Sequence, residues 1–219
     1  MSTLEATDLY RFYHVGDEET RALRGVSLRI EPGELVAVVG TSGSGKSTLL
    51  ACLAGLDEPD GGFVDLMGQR LTRRPEEERA KLRARHLGVL MQSDNLFEHL
   101  SILGNVQFAA FLAGQDPAGA ADWLRRVGLG ERLHHRPSQL SGGELARAGL
   151  AAALIVWPAL LLADEPTAEV DSQTEGLVLG EIENFCARGG AALISTHSPE
   201  LARRASRVLH IRDGRFTDA

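Results

Sequence analysis

Nine consecutive residues, Gly40, Thr41, Ser42, Gly43, Ser44, Gly45, Lys46, Ser47 and Thr48, have the types and spacing to cradle a phosphate chain. They fit the pattern G-x-x-x-x-G-K-[ST] and stand between two apolar runs, Leu35 to Val39 and Leu49 to Leu53. That is the strand, loop and helix context the pattern requires. Glycines let the backbone turn tightly, so that successive N–H groups and the positive end of the following helix converge on one anion. Lys46 adds a point charge at the β- and γ-phosphates. Ser47 offers an oxygen to Mg²⁺, a hard ion that divides its shell between protein, water and phosphate. A glycine-rich strand-to-helix turn with nothing bound is the alternative reading. The loop alone does not choose among a kinase, a GTPase, a helicase and a transport ATPase.

Further along, the apolar run Leu160 to Leu162 ends in Ala163-Asp164-Glu165. An acid at the C-terminal end of a buried parallel strand lies where open α/β sheets bind their ligands. Asp164 can enter the Mg²⁺ shell, and Glu165 can orient or deprotonate an attacking water. The alternative is two carboxylates that cap the next loop. Leu140-Ser141-Gly142-Gly143-Glu144 opens another helix, with Ser141 as its N-cap and free N–H groups that make a second anion cradle. Alone this is a helix start. Followed by Asp164-Glu165 and His197, and preceded by Gln92, it is more than that. Tyr13, at the end of the first strand, is either ordinary sheet packing or a platform for a flat base.

The elements that must position these groups are legible in outline. Leu4 to Ile30 alternates in the manner of two antiparallel strands around a polar stretch from His14 to Thr20, and Glu31-Pro32-Gly33 turns into the loop strand. Asp57 to Gly62 reads as a turn, Phe63 to Met67 as a strand, Pro75 to Arg85 as a charged helix, and His86 to Met91 as a short strand ending at Gln92. Leu100 to Leu133 gives two helical stretches around Gly114 to Pro117. Strand and helix then alternate: helix Gly142 to Val156, strand Leu160 to Ala163, helix Ser172 to Ala187, strand Ala191 to Ser195, and a last strand, Arg207 to Arg212, before an Asp213-Gly214 turn. Alternation of this kind predicts an α/β fold with a mostly parallel core sheet, here carrying an N-terminal antiparallel β subdomain and a helical insertion.

At 219 residues, 43% hydrophobic and 24% charged, the chain reads as one globular unit. The longest apolar stretch, Leu150 to Ala163, contains Pro158 and falls short of the roughly 20 residues a bilayer span needs. The first ten residues lack the apolar run of a secretory signal, which predicts a cytosolic chain. A formal net charge of −7 offers no cationic field for nucleic acid, so no nucleic-acid partner is expected. The pairs Arg73-Arg74, Arg125-Arg126 and Arg203-Arg204 read as decoration of solvated helix faces. Only two lysines, Lys46 and Lys81, stand against 21 arginines. Lys46 is therefore conspicuous, since a compact ammonium suits a loop wrapped around phosphate better than a planar guanidinium. Cys52 and Cys186 sit in apolar helical patterns and read as buried reduced thiols.

Taken together, these residues resemble the nucleotide-binding subunit of an ATP-binding cassette (ABC) transporter over essentially all 219 positions. Gly40 to Thr48 is similar to the Walker A motif, Gln92 to the Q-loop, Leu140 to Glu144 to the LSGGQ-type signature, Leu160 to Glu165 to Walker B, Asp171 to the D-loop acid and His197 to the switch histidine. Val15 to Glu18, Asn95 to Leu100, His135 to Gln139 and LLLADEPT (Leu160 to Thr167) resemble the bacterial branch that serves lipoprotein release and macrolide or peptide export. The cell-division ABC ATPase belongs to the same wider group.

The resemblance implies ATP and Mg²⁺ as cofactors, and it implies the roles. Tyr13 stacks the adenine. Gln92 senses the γ-phosphate and joins Ser47 and Asp164 around Mg²⁺. Glu165 is the base, His197 holds γ-phosphate and water in register, and Lys46 binds the phosphates. It further implies an ATP-dependent head-to-tail homodimer, in which Ser141, Gly142, Gly143 and Glu144 of one copy face the γ-phosphate on Lys46 of the other, and a transmembrane permease subunit as partner at the cytoplasmic face of the membrane. A core of residues 1–92 and 159–219 around a helical subdomain at about 93–158 is the implied division. The chain departs from the branch at Ala168-Glu169-Val170-Asp171, at Ser198 in place of an acid, at Ala152 in place of an arginine, and at Leu145 and Ala146 in place of polar residues. Two other functions compete: a soluble ABC-type ATPase acting on DNA or ribosomes, which would carry coiled-coil or zinc insertions or a second cassette, and a non-catalytic ATP-regulated dimerisation module, which would lack Glu165.

Overall fold

The alternating segment between Leu4 and Ile30 forms two long antiparallel strands, β1 (Leu4–Val15) and β2 (Glu18–Ile30). The computed structural model describes residues 1–16, 18–93, 95–168 and 170–217, with backbone alone at Val15 and Glu18. Asp17 and Glu169, named in the motifs above, lie outside the described residues. After β3 (Leu35–Val39) and α1 (Lys46–Leu53), β4 (Gly61–Leu66) and β5 (Gln69–Arg70) complete a four-stranded antiparallel sheet in the order β2-β1-β4-β5. Gly61 and Gly62, expected in the turn, instead begin β4. The reason is a bulge in β1, where Asp8 adopts φ +49° and the register with β4 shifts between Thr7 and Tyr10. A Cβ on Gly62 would collide with the Thr7 and Asp8 carbonyls, so glycine is required at that close approach.

A second sheet, ordered β10-β9-β3-β8-β7-β6, is parallel from β9 to β6: β6 (Leu87–Leu90), β7 (Leu160–Asp164), β8 (Ala191–Thr196) and β9 (Arg207–Arg212). The three-residue β10 (Arg215–Thr217) adds an antiparallel edge. The unbroken apolar runs of β3, β7 and β8 follow from cover on both faces. The period of two then sorts their side chains. Val36, Val38, Leu160 and Leu162 pack toward the first sheet with Leu4, Leu9 and Ile30, whereas Leu35, Ala37, Leu161 and Ala163 pack on the opposite face with Leu154, Ile182 and Phe185.

Helices α2 (Glu76–His86), α3 (Ile102–Leu112), α4 (Ala120–Arg126), α5 (Gly142–Leu154), α6 (Ser172–Ala187) and α7 (Pro199–Arg204) complete the chain. α3 and α4 pack with one side of α5 in a third core around Ile102, Val106, Leu124, Leu129 and Ala148, while Leu150 and Leu154 of α5 face the parallel sheet. Two helix starts are capped locally: at α3 the Ser101 hydroxyl accepts from the Gly104 N–H at 3.0 Å, and at α6 Asp171 accepts from the Gln173 and Thr174 N–H groups at 3.0 and 2.9 Å. Arg73-Arg74 does not lie on a helix. The pair occupies the turn before α2, with Arg73 at φ +56°, because Pro75 disfavours helical backbone in the residue before it. Arg126 and Arg204 are helical but pair with Glu181 at 2.7 Å and Glu183 at 2.6 Å on α6. Among the described residues no helix is long and apolar enough to cross a membrane.

Candidate active site

The loop between β3 and α1 is shaped by three glycines that no other residue could replace without rearrangement. Gly43 and Gly45 adopt φ +77° and +108°, and a Cβ on Gly45 would strike the Ala22 carbonyl, while one on Gly40 would strike Ile211. No side chain caps α1, so the uncapped end of this helix, with its partial positive charge, opens into a cavity of about 800 Å³. Gly40, Thr41, Ser42, Gly43, Gly45, Lys46, Ser47 and Thr48 all contribute to its wall; Ser44 is buried behind it. The Ser44 hydroxyl has no hydrogen-bond partner among the described residues, and its carbonyl accepts from the Gly214 N–H at 3.0 Å, which braces the loop against the β9–β10 turn. The Lys46 ammonium donates to the Gly40 and Thr41 carbonyls at 2.8 and 3.2 Å.

Three strands of the parallel sheet and one of the antiparallel sheet deliver the remaining groups to the cavity. β7 ends at Asp164 and passes to Glu165, whose backbone takes the left-handed φ of +50° and whose N–H donates to the Ser195 carbonyl at 3.1 Å. This turn aims the Glu165 carboxylate, 11% exposed, into the cavity. His197, just past β8, brings Nδ1 to 2.9 Å from Glu165 Oε2, and Lys46 Nζ lies 3.9 Å from Oε1. Gln92, just past β6, and Tyr13, from β1, line the same space. Asp164 is different. It is 2% exposed, is absent from the cavity wall, and accepts a hydrogen bond from the Ser195 hydroxyl on the neighbouring strand.

The donor set suits a nucleotide with a hard cation. Ser47 and Gln92 carry oxygen on the cavity wall, as Mg²⁺ prefers, with the Asp164 carboxylate off the wall on Ser195, and among the described residues there is no group of three His, Cys, Asp or Glu that could hold a metal by itself. An uncapped helix end, a loop that only glycine can form and one lysine together fit a phosphate chain.

Ser141, Gly142, Gly143 and Glu144 do not line this cavity. They form a capping box at the head of α5. The Ser141 hydroxyl accepts from the Glu144 N–H at 3.3 Å, and the Glu144 carboxylate accepts from the Ser141 N–H at 2.9 Å. The hydrogen bond from the Ser141 backbone, against a small opposing effect of burial, holds the Glu144 carboxyl below the usual range, aided by Arg132 at 3.1 Å. Gly142, Leu145 and Ala146 line a second, smaller cavity with Gln92 and Glu165. Ser198 caps α7 through the Leu201 N–H and donates to Glu175 at 2.8 Å, so a carboxylate from α6 stands beside the residue after His197. Sequence reasoning did not place β2 at the site: Glu19, Thr20, Arg21, Ala22 and Arg24 line the main cavity, as do Asp213 and Gly214 of the β9–β10 turn, and nothing in the spacing marked them.

Comparison with known proteins agrees with this geometry. The family description "ABC transporter" matches residues 23–168. The macrolide export ATP-binding/permease protein MacB of Hyphomonas neptunium is 43% identical over 217 residues, covering 97% of this chain and 34% of that protein. The uncharacterized ABC transporter ATP-binding protein YbbA of Escherichia coli K12 is 45% identical over 208 residues, 93% of this chain and 91% of that protein. The chain thus spans about a third of the length of the MacB relatives it matches. A solved dimeric ATP-binding cassette in a post-hydrolysis state, bound to ADP and Pi, superposes with a TM-score of 0.94 at 30% identity over 98% of this chain and 97% of that one. Fold, site and kinship converge: the chain belongs to the ABC transporter family, as an ATP-binding cassette of the ATP-hydrolysing P-loop kind.

Proposed function

We propose that this cassette hydrolyses ATP to drive a separate transmembrane permease subunit, working as an ATP-dependent head-to-tail homodimer at the cytoplasmic face of a membrane. The observation that carries this reading is the meeting of Glu165, His197 and Lys46 at one edge of the parallel sheet, beside the glycine loop. Water attacks the γ-phosphorus, the bond to the bridging oxygen breaks, and the water proton passes to the Glu165 carboxylate. His197, within hydrogen-bond reach of that carboxylate, orients it and the γ-phosphate. Lys46 and the loop amides hold the β- and γ-phosphates. Ser47, Asp164 and Gln92 would hold Mg²⁺, whose chemistry when bound is to neutralise charge on the phosphate oxygens.

The placement of Ser141, Gly142, Gly143 and Glu144 outside the cavity of their own chain supports a shared site, in which a second copy brings its α5 end to the γ-phosphate. A solved relative is a dimer bound to ADP and Pi, and the MacB relatives are named for macrolide export, which favours export of a macrolide-like, peptide or lipoprotein substrate. The division into a core, residues 1–92 and 159–219, and a helical subdomain, about 93–158, is supported by the packing of α3 and α4 against Ala148 and Ala151 of α5. Gel filtration of a hydrolysis-disabled chain with and without Mg²⁺-ATP tests the dimer. A monomer in both conditions, at nucleotide concentrations that saturate binding, overturns the shared site.

A further inference from the structure

Most of the hydrogen-bonding groups around Tyr13 belong to parts of the chain far away in sequence. Its hydroxyl donates to Asp57 Oδ2 at 2.7 Å, 44 residues on. The same carboxylate receives Arg11 through both oxygens, Nε to Oδ2 and Nη2 to Oδ1, each at 2.8 Å. Arg11 and Tyr13 are two apart on β1, so they share a face, and the guanidinium carbon lies 4.6 Å from the ring centroid. Asp60 completes the attachment. It accepts from the Phe12 N–H at 2.7 Å and pairs with Arg11 at 3.2 Å, while its own N–H donates to the Tyr10 carbonyl at 2.9 Å.

We propose that Asp57, anchored by Arg11, is a positioning residue that fixes the Tyr13 ring as the platform for the nucleobase. This rests on the reading of Tyr13 as that platform. Arg11 lies over the ring, which is 36% exposed and forms part of the main cavity wall, where a flat base would stack. The hydroxyl bond to Asp57 removes the side chain's freedom before nucleotide arrives, so binding does not bear the entropy of ordering it.

Asp57 also sets where the platform stands. It lies four residues past the end of α1, in a turn tied back to the helix by its own N–H, which donates to the Ala51 carbonyl at 3.1 Å, and α1 begins at Lys46. One eight-residue helix, about 12 Å long at 1.5 Å per residue, therefore links the phosphate-binding ammonium to the carboxylate that holds the ring. The distance from base to phosphate is set by this helix and by the turn hydrogen-bonded to its last residues. The charges agree with this arrangement. Burial opposes ionisation of Asp57, but the bonds from Arg11 and Tyr13 outweigh it and hold its carboxyl below the ordinary range; burial and the bond to Asp57 together raise the Tyr13 phenol. The acceptor stays charged and the donor keeps its proton at neutral pH.

The test is calorimetry on the full chain with two probes, ADP and inorganic tripolyphosphate, in Asp57→Asn, Tyr13→Phe, their double variant and Tyr13→Ala. The expected result is a loss of ADP affinity of about three- to tenfold in Asp57→Asn and in Tyr13→Phe, the worth of one net hydrogen bond, with no further loss in the double variant. Tripolyphosphate, which has no base, should bind all four as it binds the parent. An equal loss of both probes in Asp57→Asn makes Asp57 a staple of the fold and overturns the proposal, as do additive effects in the double variant. The arms also separate the two readings. Undiminished ADP binding in Tyr13→Ala removes the platform itself. A loss in Tyr13→Ala with none in Tyr13→Phe keeps the platform and discards Asp57 as its positioner. Should Asp57→Asn fail to fold, the Tyr13→Phe arm decides alone.

Discussion

The Glu165 carboxylate is held between two nitrogen groups of different kinds, the imidazole of His197 with Nδ1 at 2.9 Å from one oxygen and the ammonium of Lys46 with Nζ at 3.9 Å from the other. Glu165→Gln keeps the shape of this contact and removes the proton acceptor. ATP affinity should be retained while steady-state phosphate release falls at least about 100-fold, the lower end of what a positioned general base supplies. Turnover equal to the parent's would remove Glu165 from that role.

Lys46 is nearly buried and donates to two loop carbonyls, so its ammonium is already placed at the mouth of the glycine loop. Lys46→Ala should weaken nucleotide binding by about 10- to 100-fold, in line with a charged hydrogen bond of roughly 1.5–3 kcal/mol. Calorimetry with ADP reads this directly, and an unchanged affinity would count against the cradle.

The capping box at α5 ties stability to pH. The Glu144 carboxyl is held below its ordinary value in the folded chain. A group whose folded pKa is depressed stabilises above its unfolded value, about 4.3, and that contribution disappears as pH falls through the folded one. Thermal melts of the parent and of Glu144→Gln should therefore differ at pH 7 and draw together below about pH 4. A gap that stays constant down to pH 3 would show that the carboxylate charge contributes nothing to the helix start.

Both thiols are buried, and burial pushes Cys52 and Cys186 each up to about 12. Since the thiolate is the reactive form, the folded chain at pH 8 should resist a thiol-specific reagent and react twice per chain once denatured. Rapid stoichiometric labelling of the native protein would contradict the packing of α1 and α6.

What the sequence makes legible here is mostly local. The glycine loop, the Ser141 N-cap and the alternation of β1 and β2 depend on residues within a few positions of one another, and their patterns survive in one dimension. The apolar β3 and β7 strands announce burial on both faces. Contacts that close across the sheet do not announce themselves. Asp164 reads as a metal ligand at the end of a buried strand, but its hydrogen bond to Ser195 depends on the β7–β8 register. Asp57 reads as a turn residue because its partners Arg11 and Tyr13 lie more than 40 positions away. The left-handed backbone at Glu165 gives no sign, since glutamate is not a residue chosen for that conformation. α7 is six residues long, too short for a helical period to emerge, although Ser198 before Pro199 is a capped start.

The in-register pairing of β3, β8 and β7, with Val39 opposite Thr196 and Asp164 opposite Ser195, works as a ruler. Neighbouring strands lie roughly 4.8 Å apart, and each residue along them adds about 3.3 Å and turns its side chain to the other face. Deleting a single residue from any of the three would thus retract its terminal group by one notch and reverse where it points. Conservative replacements inside these strands can be absorbed by repacking, but their lengths are fixed by the chemistry at their tips.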